Sequence, residues 1–232
     1  MNSLEGKVVL VTGAKGGLGT HVTNALLSAG ATVAGVSRSI NDSDFLHPRF
    51  AGIPAELCSS EAARSVASAV AARFGRVDVL VHLVGGFAGG VPVADTDEST
   101  LEQMLDLNLR SAFYIIKAVL PYMREQRKGR LIGVGSRAAV DGNACAGAYS
   151  ASKAALIVMM RAVAAENSDR CISANVVLPG TINTRGNRAA EPNADTSKWV
   201  EPAQVANLIV GLANDDLAQV NGAAIPIYGR EV

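Results

Sequence analysis

Short apolar runs and longer amphipathic runs alternate along this chain. Residues 8–12 form a β-rich apolar run, and the cluster Gly13-Ala14-Lys15-Gly16-Gly17-Leu18-Gly19 follows it directly. Residues 20–29 carry a helical pattern that Gly30 stops. A second strand is predicted over 31–37 and a weakly marked third over 53–57. Residues 60–74 are Ala-rich and helical, with Glu61 in the first turn and Gly75 after the last. Residues 77–84 form a strongly apolar strand that runs into Gly85-Gly86-Phe87-Ala88-Gly89-Gly90. A long helix is predicted over 99–124, with Pro121 marking a kink or an end. A strand over 131–136, a helix over 149–167 and a strand over 172–178 come next. Residues 179–200 are polar and irregular, and a helix over 202–213 and a strand over 223–228 close the series.

The strands read as continuous apolar runs rather than as alternating ones. That is the pattern of a parallel sheet buried on both faces, with helices as crossovers. The expected fold is α/β: one doubly wound, Rossmann-type domain over 1–232, with about seven parallel strands and helices on both faces. Thr12, Val84, Ser136 and Leu178 stand at strand ends, where an open α/β sheet places its ligand.

Composition narrows the function classes. Apolar residues make up 49% of the chain, enough for a substantial core, and 21 basic residues balance 21 acidic ones. There is no basic stripe to suggest nucleic acid. Cys58, Cys145 and Cys171 are far apart and have no metal-ligand spacing, so reduced, mostly buried thiols and no metal are expected. No leader pattern and no bilayer-length apolar run stand out, so a cytoplasmic protein without membrane contact is expected.

Two constellations carry chemistry. Tyr149 and Lys153 lie four apart in a helical pattern, which puts both on one face. A free phenol titrates near pH ~10, and a neighbouring cation lowers that value. Such a pair can pass a proton to or from an alcohol or carbonyl oxygen, and Ser136 lies thirteen residues upstream. The glycine cluster lies between a strand and a helix, where backbone amides and a helix N-terminus can meet a pyrophosphate. Its spacing, Gly13-x-x-x-Gly17-x-Gly19, is not that of the common dinucleotide fingerprint.

Together these residues resemble the short-chain dehydrogenase/reductase family. Thr12 to Gly19 matches its T-G-x-x-x-G-x-G loop, including Lys15, Gly17 and Leu18, and Ser136, Tyr149 and Lys153 match its catalytic Ser and Y-x-x-x-K. Asn108 matches the Asn of its active-site tetrad, and Pro179-Gly180-Thr181-Ile182-Asn183-Thr184 matches its P-G-x-x-x-T segment. The resemblance implies a nicotinamide cofactor and hydride exchange with a carbonyl or alcohol. Tyr149 would be the acid in reduction and the base in oxidation. Lys153 would lower its pKa and hold ribose hydroxyls, Ser136 would stabilise charge on the substrate oxygen, and Asn108 would hold a water linking Lys153 to solvent. An acidic residue commonly ends the second strand of NAD enzymes. Here Ser37 and Arg38 stand there, and Lys15 could add a second cation, so NADP(H) is expected over NAD(H). Glu56, with Leu57 beside it, falls where the adenine is contacted, and Gly85 fits the approach to the adenine ribose.

The chain departs from the family at His82-Leu83-Val84-Gly85, where many members carry N-N-A-G. His82 is expected to be a packed histidine bonding backbone. The segment 185–199 holds the place of a substrate lid, and Phe87 and Trp199 could form an aromatic wall. Residues 85–90 and 187–199 also resemble dihydropteridine reductase-type members, which lack the catalytic Ser that Ser136 supplies here. Quinonoid pterin reduction therefore stays open, as does a non-catalytic NADP-binding sensor or scaffold. The family's helix pairing implies a homotetramer or homodimer.

Overall fold

The computed structural model describes residues 4–230. Seven strands form one all-parallel sheet: β1 (Val8–Thr12), β2 (Thr32–Ser37), β3 (Phe50–Pro54), β4 (Val79–His82), β5 (Gly129–Val134), β6 (Ile172–Pro179) and β7 (Ala224–Ile227). Their order across the sheet is β3-β2-β1-β4-β5-β6-β7, so the chain reverses direction between β1 and β4. The helices are α1 (Gly19–Ser28), α2 (Ser60–Phe74), α3 (Glu98–Leu105), α4 (Ser111–Gln126), α5 (Ala138–Asp141), α6 (Gly147–Glu166), α7 (Arg185–Ala190) and α8 (Pro202–Ala213). The expected α/β, Rossmann-type fold is therefore present.

The period-2 side-chain alternation of a strand divides the apolar residues between two cores. From β1, Val8 and Leu10 pack with α2, α4 and α6, whereas Val9 and Val11 pack with α1 and α8. Leu131 and Ile132 of β5 split in the same way. Burial on both faces is why these strands read as unbroken apolar runs.

Several expectations needed correction. The third strand lies three residues earlier than 53–57, where Phe50 and Ala51 supply the buried positions. The helix expected over 99–124 is two α-helices joined by a π-turn, Asp106–Arg110, and Pro121 sits inside α4 without ending it. The polar stretch after β6 contains α7, capped by Thr184, whose Oγ1 accepts from the Asn187 N–H at 3.2 Å. The cysteines are free but not mostly buried: Cys58 and Cys171 are exposed and Cys145 is half-buried. By length and composition α6 could cross a bilayer, contrary to the sequence reading, yet its Leu156, Ile157 and Met160 are buried in the core. No metal-type cluster of His, Cys, Asp or Glu occurs among the described residues.

Candidate active site

The site lies at the carboxyl ends of β1, β4, β5 and β6, beside the reversal point. The loop after β1 is built by close backbone approach. Gly13 has φ +71°, and a Cβ at Gly19 would lie 2.0 Å from the Gly13 carbonyl oxygen, so no other residue fits there. No side chain caps α1 and no acid stands in its first turn, which leaves its N-terminus suited to an anion. A Cβ at Gly17 would lie 3.1 Å from the Thr184 Cβ, so the glycine loop faces the start of the 185–199 segment. Pro179 ends β6 and accepts from the Arg137 N–H at 2.9 Å, and Gly180 donates to Ile227 at 3.0 Å. The Thr181 carbonyl accepts from Val200 at 2.8 Å, and Ile182 bridges to Val200. These bonds fix the floor on which Thr184 stands. Trp199 is buried beside that floor, so it anchors the far end of the segment rather than forming an exposed wall with Phe87.

Tyr149 and Lys153 project from the first turns of α6, as their spacing requires. Ser136 lies just past β5, where its hydroxyl accepts from the Ala138 N–H at 3.2 Å and is close enough to influence the Tyr149 phenol. Burial raises the Tyr149 pKa above the usual phenol value, and Ser136 opposes that rise. Burial and Ser136 are the causes of this shift, and Lys153 is not among them. The ammonium is itself buried and donates to the Val134 carbonyl at 2.8 Å. Burial pulls the Lys153 pKa down to about 8, so the group gives up its proton more readily than an exposed lysine.

Asn108 is fully buried in the π-turn, an insertion often found at functional sites. Its Oδ1 accepts from the Gly86 N–H at 2.9 Å, and its Nδ2 donates to the Gly86 carbonyl and the Ser152 Oγ, each at 3.0 Å. Ser152 Oγ in turn donates to the Tyr149 carbonyl at 2.7 Å. A Cβ at Gly85 would lie 2.8 Å from Asn108 Oδ1 and 3.0 Å from Lys153 Nζ. Bare backbone at Gly85 is thus what lets the loop after β4 touch both groups.

His82 links these parts. The β1–β4 register sets it opposite Thr12. Ser111 Oγ donates to the Leu107 carbonyl at 2.7 Å, which uses its only proton. His82 Nε2 must then donate to Ser111 Oγ, at 3.3 Å, and Thr12 Oγ1 must donate to His82 Nδ1, at 2.9 Å. The Leu83 N–H completes the chain by donating to Thr12 Oγ1 at 3.3 Å. Burial, reinforced by the Lys153 charge, lowers the His82 pKa to about 3 and keeps the ring neutral. His82 therefore bonds side chains rather than backbone. Neither Ser111 nor Ser152 stood out in the sequence: one lay inside the helix expected over 99–124 and the other between Tyr149 and Lys153.

The remaining expected residues lie near the end of β2. Ser37 Oγ accepts from the Lys15 N–H at 3.1 Å. Lys15 Nζ is already paired with Asp44 at 2.7 Å and donates to the Ser39 carbonyl at 2.9 Å. Arg38 is highly exposed and stands 4.0 Å from Glu56, which is also exposed. Leu57 is buried in the core that contains α2. The open glycine loop, the uncapped α1 and the bare Gly85 fit a dinucleotide's pyrophosphate and ribose.

The family model described as short chain dehydrogenase matches residues 7–195. The 3-oxoacyl-[acyl-carrier-protein] reductase FabG of Escherichia coli (strain K12) is 33% identical over 239 residues, covering 98% of each chain. A short-chain type dehydrogenase/reductase from Mycobacterium ulcerans has a similar structure, with a TM-score of 0.91, 26% identity, and coverage of 98% of this chain and 90% of that one. ElxO with NADP bound shares the fold, with a TM-score of 0.90, 23% identity, and coverage of 96% and 97%. A whole-length match of this kind, on a sheet whose reversal point carries the glycine loop, settles the family: the chain belongs to the short-chain dehydrogenases/reductases and is an NAD(P)-dependent oxidoreductase.

Proposed function

We propose that this protein is an NADPH-dependent carbonyl reductase, with Tyr149 as the proton donor. The observation that carries this reading is the placement of Tyr149 on α6 one turn before the buried Lys153, with Ser136 at the adjoining end of β5. When bound, the nicotinamide supplies the hydride. A phenol at or above its ordinary pKa is protonated at neutral pH, so Tyr149 has a proton to give to a carbonyl oxygen. Ser136 donates to oxygen and can follow the negative charge from the substrate carbonyl to the phenolate. Lys153, with a pKa near 8, can return a proton to the phenolate at modest cost. Asn108 has no spare proton for a water, since its amide serves Gly86 and Ser152, but its oxygen keeps acceptor capacity beside Lys153.

The glycine loop, Gly85 and the 179–184 floor would hold the dinucleotide, with Thr184 and the 185–199 segment closing over it. For the 2′-phosphate, Arg38 is the better candidate than Lys15, because Asp44 already offsets the Lys15 charge. Glu56 is near enough to Arg38 to compete weakly with that phosphate. The fold accommodates NADP in ElxO. Pterin reduction is the weaker reading, because Ser136, the residue that dihydropteridine reductase-type members lack, is present here. The homotetramer or homodimer and the cytoplasmic location belong to the same reading. The test is steady-state reduction of a panel of activated ketones with NADPH and with NADH. Ketone-dependent oxidation with kcat/KM at least about tenfold higher for NADPH is expected. NADPH binding without turnover of any ketone would point to the sensor, and turnover of quinonoid dihydropterin alone would point to the pterin enzyme.

A further inference from the structure

We propose that Phe87 selects the substrate, favouring a carbonyl carried on a flat, conjugated, uncharged ring. The proposal rests on the reading of this site as a carbonyl reductase. Phe87 is 69% exposed, an unusual state for a phenylalanine. Its ring is nevertheless placed rather than loose. The centroid lies 5.0 Å from that of Tyr149, with the two planes at 74°. On its other side, a Cβ at Gly89 would lie 2.7 Å from the tip of the Phe87 ring, so only bare backbone admits the ring there. Gly90 donates to the Cys145 carbonyl at 2.8 Å, which ties the loop to the segment entering α6. Tyr149 sits two residues into that helix.

An exposed aromatic ring therefore stands 5.0 Å, centroid to centroid, from the ring of the proton donor. The segment 85–93, Gly-Gly-Phe-Ala-Gly-Gly-Val-Pro-Val, carries no charge and no side-chain hydrogen-bonding group, and it also exposes Val91 and Val93. An ionic group lying on 85–93 would lose water without gaining a side-chain partner from that segment, and the neighbouring Asp95 and Asp97 disfavour an anion. A planar π-system gains apolar contact and the offset or edge-to-face geometry that aromatic pairs prefer. A saturated ring of equal size gains only the contact.

The test uses a matched pair, ethyl benzoylformate and ethyl cyclohexylglyoxylate, which share the reacting keto ester and differ in ring planarity. The wild type is expected to prefer the aryl ester in kcat/KM by about three- to tenfold through KM. Phe87→Leu is expected to bring the ratio towards one, and Phe87→Tyr to retain it. NADPH binding, followed by fluorescence, reports that each variant is folded. An unchanged ratio in Phe87→Leu, or no aryl preference in the wild type, overturns the proposal while leaving carbonyl reduction intact. A second measurement does not depend on turnover: calorimetric binding of 2-naphthamide and its fully saturated counterpart to the enzyme–NADP complex. Selective loss of 2-naphthamide affinity in Phe87→Leu without ketone turnover by the wild type would retain the Phe87 assignment and reject the reductase reading. Equal affinity for both amides in wild type and variant would overturn the assignment.

Discussion

Lys153 is a base that holds its proton weakly, because its ammonium lies in the core with one carbonyl for a partner. The consequence for stability has a definite sign. Its pKa falls from 10.5 to about 8 on folding, so between those values the unfolded chain binds more protons. Below pH 8 the buried charge destabilises the fold, by an amount on the order of 3 kcal/mol, and the penalty fades as pH rises towards 10.5. Lys153→Met is therefore expected to melt above the wild type at pH 7, with the gap narrowing between pH 8 and 10; scanning calorimetry across that range checks it. At Gly85, a methyl group would press on Asn108 Oδ1 and Lys153 Nζ together. Gly85→Ala is expected to lower kcat/KM by one to two orders of magnitude, the scale on which about an ångström of misplacement acts. At the cofactor end, Arg38→Ala is expected to raise the KM for NADPH about tenfold and leave that for NADH nearly unchanged. Asp44→Asn, which frees Lys15, is expected to lower the NADPH value about twofold, as suits a partly exposed ion pair.

Between elements, the informative connection is the chain Leu83–Thr12–His82–Ser111–Leu107, which ties β1 and β4 to the π-turn that carries Asn108. His82→Phe fills a similar volume but leaves Thr12 and Ser111 without their bonds. It is expected to raise the KM for cofactor and lower kcat together, whereas His82→Asn, which retains a donor and an acceptor, is expected to recover part of both. Equal stability loss in the two variants without a kinetic difference would contradict this coupling. Element positions were legible where the pattern was strong: β1, α2 and α8 begin and end at the predicted residues. The third strand slipped because its apolar signal is short, and the π-turn left no trace because a change of helical register has no residue code. His82 was legible as a departure from the family pattern, but its partners depend on the β1–β4 register, which no local pattern contains.

For the whole molecule, alternating runs revealed a doubly wound sheet, and the reversal of strand order then fixed where the site must lie. Tyr149, Lys153, Ser136, Asn108 and the glycine loop were all legible and come together there. What the sequence did not disclose was the electrostatic balance. It suggested a phenol activated by a cation, but burial acts on both groups: it keeps Tyr149 protonated and loosens the proton of Lys153. On the proposed reading, that balance suits Tyr149 to give a proton to a carbonyl oxygen at neutral pH, and turnover is expected to depend on its hydroxyl. The most direct test follows NADPH consumption by wild type and Tyr149→Phe in a single turnover with an activated ketone, alongside the NADPH Kd of each. The expected result is a loss of about three orders of magnitude in rate with the Kd almost unchanged, the scale of a missing general acid. A Tyr149→Phe rate within tenfold of the wild type would contradict the assignment.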